Sequence, residues 1–223
     1  DFKNTELVVK SPAVKDDSKF LKIARKNDIP VETEMSLFFK FSPCPIIGIT
    51  GTKGKSTTTT LTHKLLKQKY NTILGGNIKT ETLPKLEKLD ENSLAILELS
   101  SWQLSSLDKH QTSPHGAIIT NIKQDHLNRY ESFKDYVADK SVIYKHQDEE
   151  DYLLLNHQDP VSSKFAGEAN AQVYYYNFDE KINHNRGAQL KNGSIVFQGE
   201  QVCKREDIKI PGKHNLTNIL AAI

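Results

Sequence analysis

The sequence predicts an α/β fold in which a mostly parallel sheet is flanked by helices. Two observations support this prediction. Between residues 46 and 155, short apolar segments of strand length alternate with amphipathic segments of helix length, and this alternation is typical of parallel sheets covered on both faces. Within this region, a glycine-rich loop at residues 51–55 lies between a buried-type strand and a helix, which is the context of a phosphate-binding loop.

The predicted elements follow in order along the chain. Apolar runs, helical spacing and proline stops predict a strand at 6–9, a helix at 16–27, a strand at 29–31 and a helix at 34–41. The Pro-Cys-Pro stretch at 43–45 marks a boundary between a first unit, 1–42, and a second unit, 43–223. In the second unit, strands are predicted at 46–49, 72–74, 94–99, 117–120 and 152–155, and helices at 56–69, 82–89 and 133–144.

A small β-rich part follows residue 171. Strand-like runs occupy 173–176 and 189–197, and the pair Asn192-Gly193 is a strong signal for a hairpin turn. Residues 216–223 have the pattern of a helix that is beginning. The β-rich part is therefore expected to belong to the second unit.

The composition argues against several classes of protein. The 223 residues carry a net charge of +2, which is too balanced for a strongly basic nucleic-acid-binding module. No apolar run has the roughly 20 residues needed to cross a bilayer. Cys44 and Cys203 are far apart and form no CxxC pattern, so neither a disulfide framework nor a zinc site is indicated. We expect a cytoplasmic protein that binds no nucleic acid and does not insert into membranes.

The strongest chemical signal is the run Gly-Thr-Lys-Gly-Lys-Ser-Thr. We assign nucleotide contacts to Gly51, Thr52, Lys53, Gly54, Lys55, Ser56 and Thr57. Glycines allow successive backbone N–H groups to face phosphate oxygens, and the following helix presents its positive dipole end. Lys55 would contact the β- and γ-phosphates, and the Ser56 hydroxyl would bind Mg²⁺. The alternative is a glycine-rich turn with a purely structural role.

One carboxylate is predicted to be buried. Glu98 ends the run Leu-Ala-Ile-Leu-Glu at the carboxyl end of a predicted parallel strand, where such sheets bind their ligands. A buried carboxylate is costly unless it is paired or bound to a metal. Glu98 is therefore a candidate site residue, and the alternative is a strand-end glutamate that faces solvent.

Several stretches carry a family resemblance in addition to the loop. They are Leu-Val-Val-Lys-Ser-Pro at 7–12, Gly-Gly-Asn-Ile at 75–78, Glu-Leu-Ser-Ser-Trp-Gln-Leu at 98–104, Asn-Ile-Lys-Gln-Asp-His-Leu at 121–127 and Gly-Lys-His-Asn-Leu-Thr-Asn at 212–218. In this order they resemble motifs of the Mur ligases of peptidoglycan synthesis. The stretch at 98–104 is most similar to that of the family members that add D-glutamate.

The resemblance implies a three-domain enzyme. Residues 1–42 would be the tail of a Rossmann-like UDP-binding domain, and residues 43–223 would be a central ATPase domain, incomplete at its C-terminal end. The implied reaction uses ATP and Mg²⁺ to join D-glutamate to UDP-N-acetylmuramoyl-L-alanine through an acyl phosphate. The small-molecule substrates are the only partners implied, and a monomer is expected.

The resemblance also implies roles for individual residues. The catalytic set would be Lys55, Glu98, His126 and Lys140; the Mg²⁺ ligands would be Ser56, Glu98, His126 and a carbamylated Lys140. Substrate contacts would come from Asn77, Ser100, Ser101 and Gln103, and further nucleotide contacts from Asn215 and Asn218. Without the resemblance, each of these side chains has an ordinary structural reading, such as helix capping for the serines or a solvated helix lysine for Lys140.

The sequence departs from the family pattern at four places. Lys53 replaces an asparagine of the loop, Lys79 and Ala13 replace glycines, and Asn128 replaces an aspartate. None of these changes removes a proposed metal ligand. Two alternatives stay open: another Mur-type or folylpolyglutamate-synthase-like ligase that joins a carboxylate to an amine, and a nucleotide-binding module without ligase activity.

Overall fold

The main body of the protein is one nine-stranded sheet. The computed structural model describes residues 2, 4–15, 17–78, 81–125, 130–179 and 186–223. In these residues the strands are β3 Ile46–Thr50, β4 Thr72–Gly76, β5 Leu94–Glu98, β6 Gly116–Ile119, β7 Tyr152–Asn156, β8 Gln172–Asn177, β9 Gly187–Lys191, β10 Ser194–Phe197 and β11 Glu200–Lys204. Their spatial order is β11-β10-β9-β8-β7-β6-β3-β5-β4. The pairs from β4 to β9 are parallel, which confirms the predicted fold class.

The helices lie on both faces of this sheet. They are α3 Lys55–Leu66, α4 Ser101–Asp108, α5 Phe133–Lys145 and α6 Lys213–Ala222, and short 3-10 helices occupy Leu83–Lys88, Ser162–Gly167 and Arg205–Asp207. Neighbouring residues of one strand serve opposite faces, because side chains alternate along a strand. Leu97 packs with α4 and α5 residues in one apolar core, whereas Ile96 packs with α6 residues in the other. Burial on both faces explains why these strands are apolar along their whole length.

A small β-α-β unit precedes the main sheet. It consists of β1 Val8–Val9, α1 Lys19–Lys26 and β2 Val31–Glu32, and its two strands form a separate parallel pair. The next helix, α2 Glu34–Phe41, packs Met35 and Phe38 into the core of the main sheet. The boundary between residues 42 and 43 stays a prediction. Helix α2 lies before that boundary in the sequence, yet it packs against the core of the second unit.

The β-rich part continues the main sheet. β9 pairs with β8 in parallel, and β10 and β11 then add to it as antiparallel strands. Asn192 and Gly193 connect β9 to β10 with positive φ angles of 50° and 71°, as the hairpin signal predicted. The β-rich run at 189–197 is therefore the predicted hairpin, with β9 and β10 as its two strands.

Two local predictions differ from the structure. The segment predicted as a helix at 82–89 is a 3-10 helix with Pro84 in its first turn; a helix this short makes few backbone hydrogen bonds, and proline contributes no donor. Helix α4 was not predicted, because its apolar positions follow no clear helical period. In the described residues, no helix combines the length and the hydrophobicity of a membrane-spanning segment.

Candidate active site

The phosphate loop connects β3 to α3 with a conformation suited to anion binding. Gly51 and Gly54 have φ angles of 146° and 88°, a region that favours glycine. A Cβ atom at Gly54 would also collide with the side chain of Asn218. Lys55 begins α3, and Ser56 beside it is exposed. The first turn of α3 therefore directs backbone N–H groups and a positive dipole end towards the loop.

Two lysines from different helices donate to the same backbone oxygen of this loop. Lys55 Nζ lies 3.0 Å from the Gly51 carbonyl oxygen, and Lys140 Nζ of α5 lies 3.0 Å from that same oxygen. Lys140 also donates to Thr50 Oγ1 at 3.3 Å, and Lys55 to the Thr52 carbonyl at 3.1 Å. The structure thus brings together two residues that the sequence analysis assigned to catalysis.

The ionisation of Lys140 is strongly perturbed. Its side chain is only 2% exposed, and its Nζ lies 4.8 Å from the centre of the Tyr136 ring. The pKa of Lys140 falls from 10.5 to about 7, chiefly because the amine is buried and secondly because Lys55 is positively charged. The carboxylates of Asp125, Asp139 and Glu98 oppose this shift. Burial also lowers the pKa of Lys55.

Glu98 lies at the carboxyl end of β5 and is buried, as predicted, with 2% of its surface exposed. Its Oε1 accepts a hydrogen bond of 2.9 Å from Asn77 Nδ2, while the Asn77 N–H donates to the Glu98 carbonyl at 2.8 Å. Among the described residues, no group donates to Glu98 Oε2. A buried carboxylate oxygen without a partner is costly, so Oε2 is suited to a cation or to a donor on a ligand.

The predicted Mg²⁺ ligand His126 lies outside the described residues. Within the residues that the structure describes, no three His, Cys, Asp or Glu side chains converge as a metal-binding group. Among the predicted ligands that the structure describes, Glu98 Oε2 and the Ser56 hydroxyl are oxygens of the chemical type that Mg²⁺ prefers.

Two adjoining cavities lie at the carboxyl ends of β3, β4 and β5. The smaller, about 130 Å³, is lined by Gly51, Lys55, Asn77, Ser100, Ser101, Trp102, Tyr136 and Lys140. The larger, about 640 Å³, is an open groove lined by Ser11, Pro12, Ala13, Glu34, Gly76, Asn77, Ile78, Glu81, Ser100, Trp102 and Gln103. The groove has the size of a small-molecule site, and Asn77, Ser100 and Trp102 line both cavities.

Two of the predicted substrate residues also cap a helix. The Ser100 and Gln103 side chains form a reciprocal capping box at the start of α4. Gln103 Oε1 accepts from the Ser100 N–H at 3.0 Å, and Ser100 Oγ accepts from the Gln103 N–H at 3.3 Å. Such a box fixes the first turn of a helix. Ser101, the next residue, is buried and lines the small cavity together with Ser100, so the box fixes the turn of α4 that borders this cavity.

The two asparagines of α6 lie on the side of α3. Asn218 is buried and accepts a hydrogen bond of 3.4 Å from Thr58 Oγ1, near the base of the phosphate loop. Asn215 Oδ1 accepts from Asn218 Nδ2 at 3.4 Å, and Asn215 Nδ2 donates to the Pro211 carbonyl at 2.7 Å. The structure therefore places Asn218 in contact with Gly54 of the loop, and Asn215 one turn away.

Sequence reasoning missed the side chains that brace the loop from behind. The Tyr136 hydroxyl is hydrogen-bonded to Thr52 Oγ1 at 3.1 Å, and Thr52 Oγ1 accepts from the Lys123 N–H at 2.9 Å. Burial raises the pKa of Tyr136 and keeps the phenol neutral. In the sequence, the one sign of contacts to the loop was that residues 121–127 come directly after a predicted strand.

Another cavity lies away from this chemistry. It has a volume of about 530 Å³ and is mainly apolar, with Ile47, Leu66, Leu154 and Leu220 among its lining residues. It contains none of the loop residues and no lysine or carboxylate. Phosphate recognition requires donors and positive charge, so the small cavity, which Lys55 and Lys140 line, and the groove that adjoins it form the candidate active site.

Solved structures share the fold. A UDP-N-acetylmuramate:L-alanyl-gamma-D-glutamyl-meso-diaminopimelate ligase from Neisseria meningitides matches with a TM-score of 0.68 and 13% identity, over 97% of this chain and 72% of that one. A MurF ligase from Thermotoga maritima, solved in complex with ADP, matches with a TM-score of 0.60 and 19% identity, over 97% and 52% of the two chains.

Sequence relatives are more similar. A UDP-N-acetylmuramoylalanine–D-glutamate ligase from Clostridium botulinum is 37% identical over 218 residues, which are 97% of this chain and 46% of the relative. A protein of the same name from Acetivibrio thermocellus is 38% identical over 227 aligned positions, which are 100% of this chain and 48% of the relative. The chain thus spans about half the length of these relatives. Residues 49–223 match the family described as the Mur ligase middle domain, and the chain therefore belongs to the Mur ligase family.

Proposed function

We propose that the protein is an ATP-dependent ligase that joins D-glutamate to UDP-N-acetylmuramoyl-L-alanine in the synthesis of peptidoglycan precursors. The two sequence relatives support this choice of substrates, because both bear the name of that ligase and align with nearly the whole chain. The match covers the stretch at 98–104, which resembles that of the family members that add D-glutamate.

The observation that carries the proposal is the convergence around the smaller cavity. Lys55 and Lys140 line it, and the buried carboxylate of Glu98 is bonded to Asn77, another of its lining residues. The adjoining groove leads to this cavity past Asn77 and Ser100. A nucleotide in the phosphate loop and a sugar-nucleotide in the groove would therefore bring their reacting ends to one place, and such positioning is the main contribution of a protein to phosphoryl transfer.

The proposed reaction has two steps. The carboxylate of UDP-N-acetylmuramoyl-L-alanine attacks the γ-phosphorus of ATP, so that an acyl phosphate forms and ADP leaves. The amine of D-glutamate then attacks the acyl carbon, and the amide forms as phosphate leaves. Lys55 neutralises negative charge on the transferred group, and the loop N–H groups orient the nucleotide. Thr52, Lys53, Thr57, Asn215 and Asn218 are proposed as further nucleotide contacts.

The residues present fit a magnesium ion. The unpartnered Glu98 Oε2 and the exposed Ser56 hydroxyl supply oxygen ligands, and His126 is proposed as a further ligand on the resemblance alone. When bound, Mg²⁺ would neutralise phosphate charge. Asn77, through its bond to Glu98 Oε1, holds the carboxylate so that Oε2 faces away from Asn77.

Lys140 is proposed to carry a carbamate. A carbamate forms when a neutral amine adds to the carbon of CO₂ and releases one proton to solvent, and the pKa of about 7 leaves a large fraction of Lys140 unprotonated near neutral pH. The carbamate would turn a buried cation into an anion beside Lys55, which would remove the repulsion between the two side chains. Lys140→Ala should abolish ligation, and short-chain carboxylates should restore part of it. A fully active Lys140→Ala variant would contradict this role.

The function is tested with the complete protein. It is incubated with ATP, Mg²⁺, UDP-N-acetylmuramoyl-L-alanine and D-glutamate, and phosphate release is followed against a control without the amino acid. We expect release that depends on D-glutamate. Release no higher than the control would refute the proposal, and Glu98→Ala with unchanged turnover would remove Glu98 from the site.

The two alternatives predict other results in the same assay. A folylpolyglutamate-synthase-like ligase would release phosphate with a folate and L-glutamate in place of the cell-wall substrates. A nucleotide-binding module would bind ATP without releasing phosphate under any of these conditions. The names of the two sequence relatives favour the D-glutamate-adding ligase over both alternatives.

A further inference from the structure

We propose that Asn121 is a positioning residue that holds the phosphate loop in its anion-binding conformation, a role that rests on the proposed nucleotide binding. Its side-chain amide bonds both backbone groups of one loop residue. Asn121 Oδ1 accepts from the Lys53 N–H at 3.1 Å, and Asn121 Nδ2 donates to the Lys53 carbonyl oxygen at 2.8 Å. One amide thus determines the direction of both peptide groups that flank the Cα of Lys53.

A second donor reinforces the same carbonyl. Thr120 Oγ1 lies 2.7 Å from the Lys53 oxygen, so this oxygen accepts two hydrogen bonds from the segment that follows β6. A carbonyl has two lone pairs, and both are used on this side of the loop. The negative end of the peptide dipole is therefore held away from the face where phosphate oxygens would bind. The Lys53 N–H is itself bonded to Asn121, so the donors left for an anion are the N–H groups in the first turn of α3.

The loop needs such a restraint because glycines flank Lys53 on both sides. Gly51 and Gly54 have positive φ angles, and glycine has more backbone conformations available than any other residue. The Thr52 N–H adds a third bond by donating to the Asn121 carbonyl at 2.8 Å. Without these bonds, a smaller fraction of the protein has the competent loop, and apparent affinity falls by that fraction.

Asn121 also joins the phosphate loop to the chain that follows β6. Asn121 lies four residues before Asp125, at the start of the stretch that carries the proposed metal ligand His126. Its bonds join the described start of that stretch to Thr52 and Lys53. Asn121 would thus fix the loop against the residues that follow β6 without touching the reacting atoms.

The test measures binding of MgATP and of magnesium inorganic triphosphate to the complete protein by isothermal titration calorimetry. Inorganic triphosphate is included because it reports on the loop without any contribution from adenine. Asn121→Ala should raise the Kd for both ligands about tenfold, because the competent loop becomes a minor conformation. Thr120→Val, which removes the second donor together with the contact of the same hydroxyl to the Thr50 carbonyl at 3.2 Å, should raise both Kd values in the same direction by about threefold.

Asn71→Ala is the matched control. Asn71 Nδ2 also donates to a backbone carbonyl, that of Lys88 at 3.1 Å, but at the opposite end of β4 from the site. The control should bind both ligands like the unaltered protein. Equal Kd values for Asn121→Ala and Asn71→Ala would overturn the role of Asn121. If Asn121→Ala does not fold, Thr120→Val decides, and an unchanged Kd overturns the role. Failure of the unaltered protein to bind either ligand would instead refute the proposed nucleotide binding, and this role with it.

Discussion

The buried amine of Lys140 should make the stability of the protein depend on pH, and replacing Lys140 by methionine should remove that dependence. Methionine has a similar length and no charge, so the change deletes the titrating group while it fills most of the space. The hydrogen bonds to Gly51 and Thr50 are lost in the variant, and the difference in their strength between the charged and the neutral amine is already part of the lowered pKa.

The magnitude follows from the displacement of the pKa of Lys140 from 10.5 to about 7. Below pH 7, the folded and unfolded states both hold the proton, and the full cost of burying the charge is present. Between pH 7 and 10.5, only the unfolded state holds it, so the free energy of unfolding rises by about 1.4 kcal/mol per pH unit. The upper limit over this window is about 5 kcal/mol.

The assay is equilibrium urea unfolding between pH 7.5 and 9.5 in buffers free of carbon dioxide. The free energy of unfolding of Lys140→Met minus that of the unaltered protein should fall by about 2–3 kcal/mol across this range. Lys134→Met is the control, because Lys134 is an exposed lysine on the same helix, and its difference should stay constant. Parallel pH curves for Lys140→Met and the unaltered protein would refute the reasoning.

Two further predictions concern Glu98 and the start of α4. Glu98→Gln should weaken MgATP binding at least tenfold while leaving ATP binding without Mg²⁺ unchanged or stronger, because only the metal needs the anionic Oε2; calorimetry with equal losses in both conditions would contradict this. Ser100→Ala should lower the free energy of unfolding by about 1 kcal/mol, because it removes the N-cap of α4. Urea unfolding measures this, with Ser141→Ala, a partly exposed mid-helix change in α5, expected to have a smaller effect.

The parallel sheet was predictable because its strands are buried on both faces and therefore stand out as apolar runs. Ile96 and Leu97 pack into opposite cores. The strand is therefore apolar on both sides and lacks the polar alternation of a half-exposed strand. The phosphate loop was predictable for a different reason, since its function depends on glycines and on a lysine at fixed spacing within one short segment. Local chemistry of this kind is visible in sequence.

Helix α4 was not predicted, although its start carries a recognisable sequence signal. Ser100 and Gln103 form a capping box, and the sequence pattern Ser-x-x-Gln is a signal for one. The family resemblance implies substrate contacts for both residues, with helix capping as the structural alternative, and the apolar positions of α4 follow no clear helical period. The structure shows that capping is one role of these side chains, and contact with substrate remains a prediction for them.

The bracing of the loop could not be predicted from spacing at all. Thr52 and Tyr136 are 84 residues apart in sequence and hydrogen-bond to each other, as Lys53 and Asn121 do across 68 residues. Such contacts depend on the order of strands in the sheet, in which β6 lies directly beside β3. Side chains that follow β6 meet the loop after β3 only because of that order.

The oxygen shared by Lys55 and Lys140 leads to a last prediction. The positive charge of Lys55 is the second cause of the lowered pKa of Lys140, so Lys55→Met should raise the pKa of Lys140 towards its ordinary value. The rise in stability with pH, which in the unaltered protein begins near pH 7, should then begin at a higher pH. Urea unfolding between pH 7 and 8 measures this, and Lys64→Met, an exposed lysine on the same helix, should leave the pH dependence unchanged. An identical pH dependence in Lys55→Met and the unaltered protein would mean that burial alone perturbs Lys140, and that the two lysines do not interact through their common acceptor.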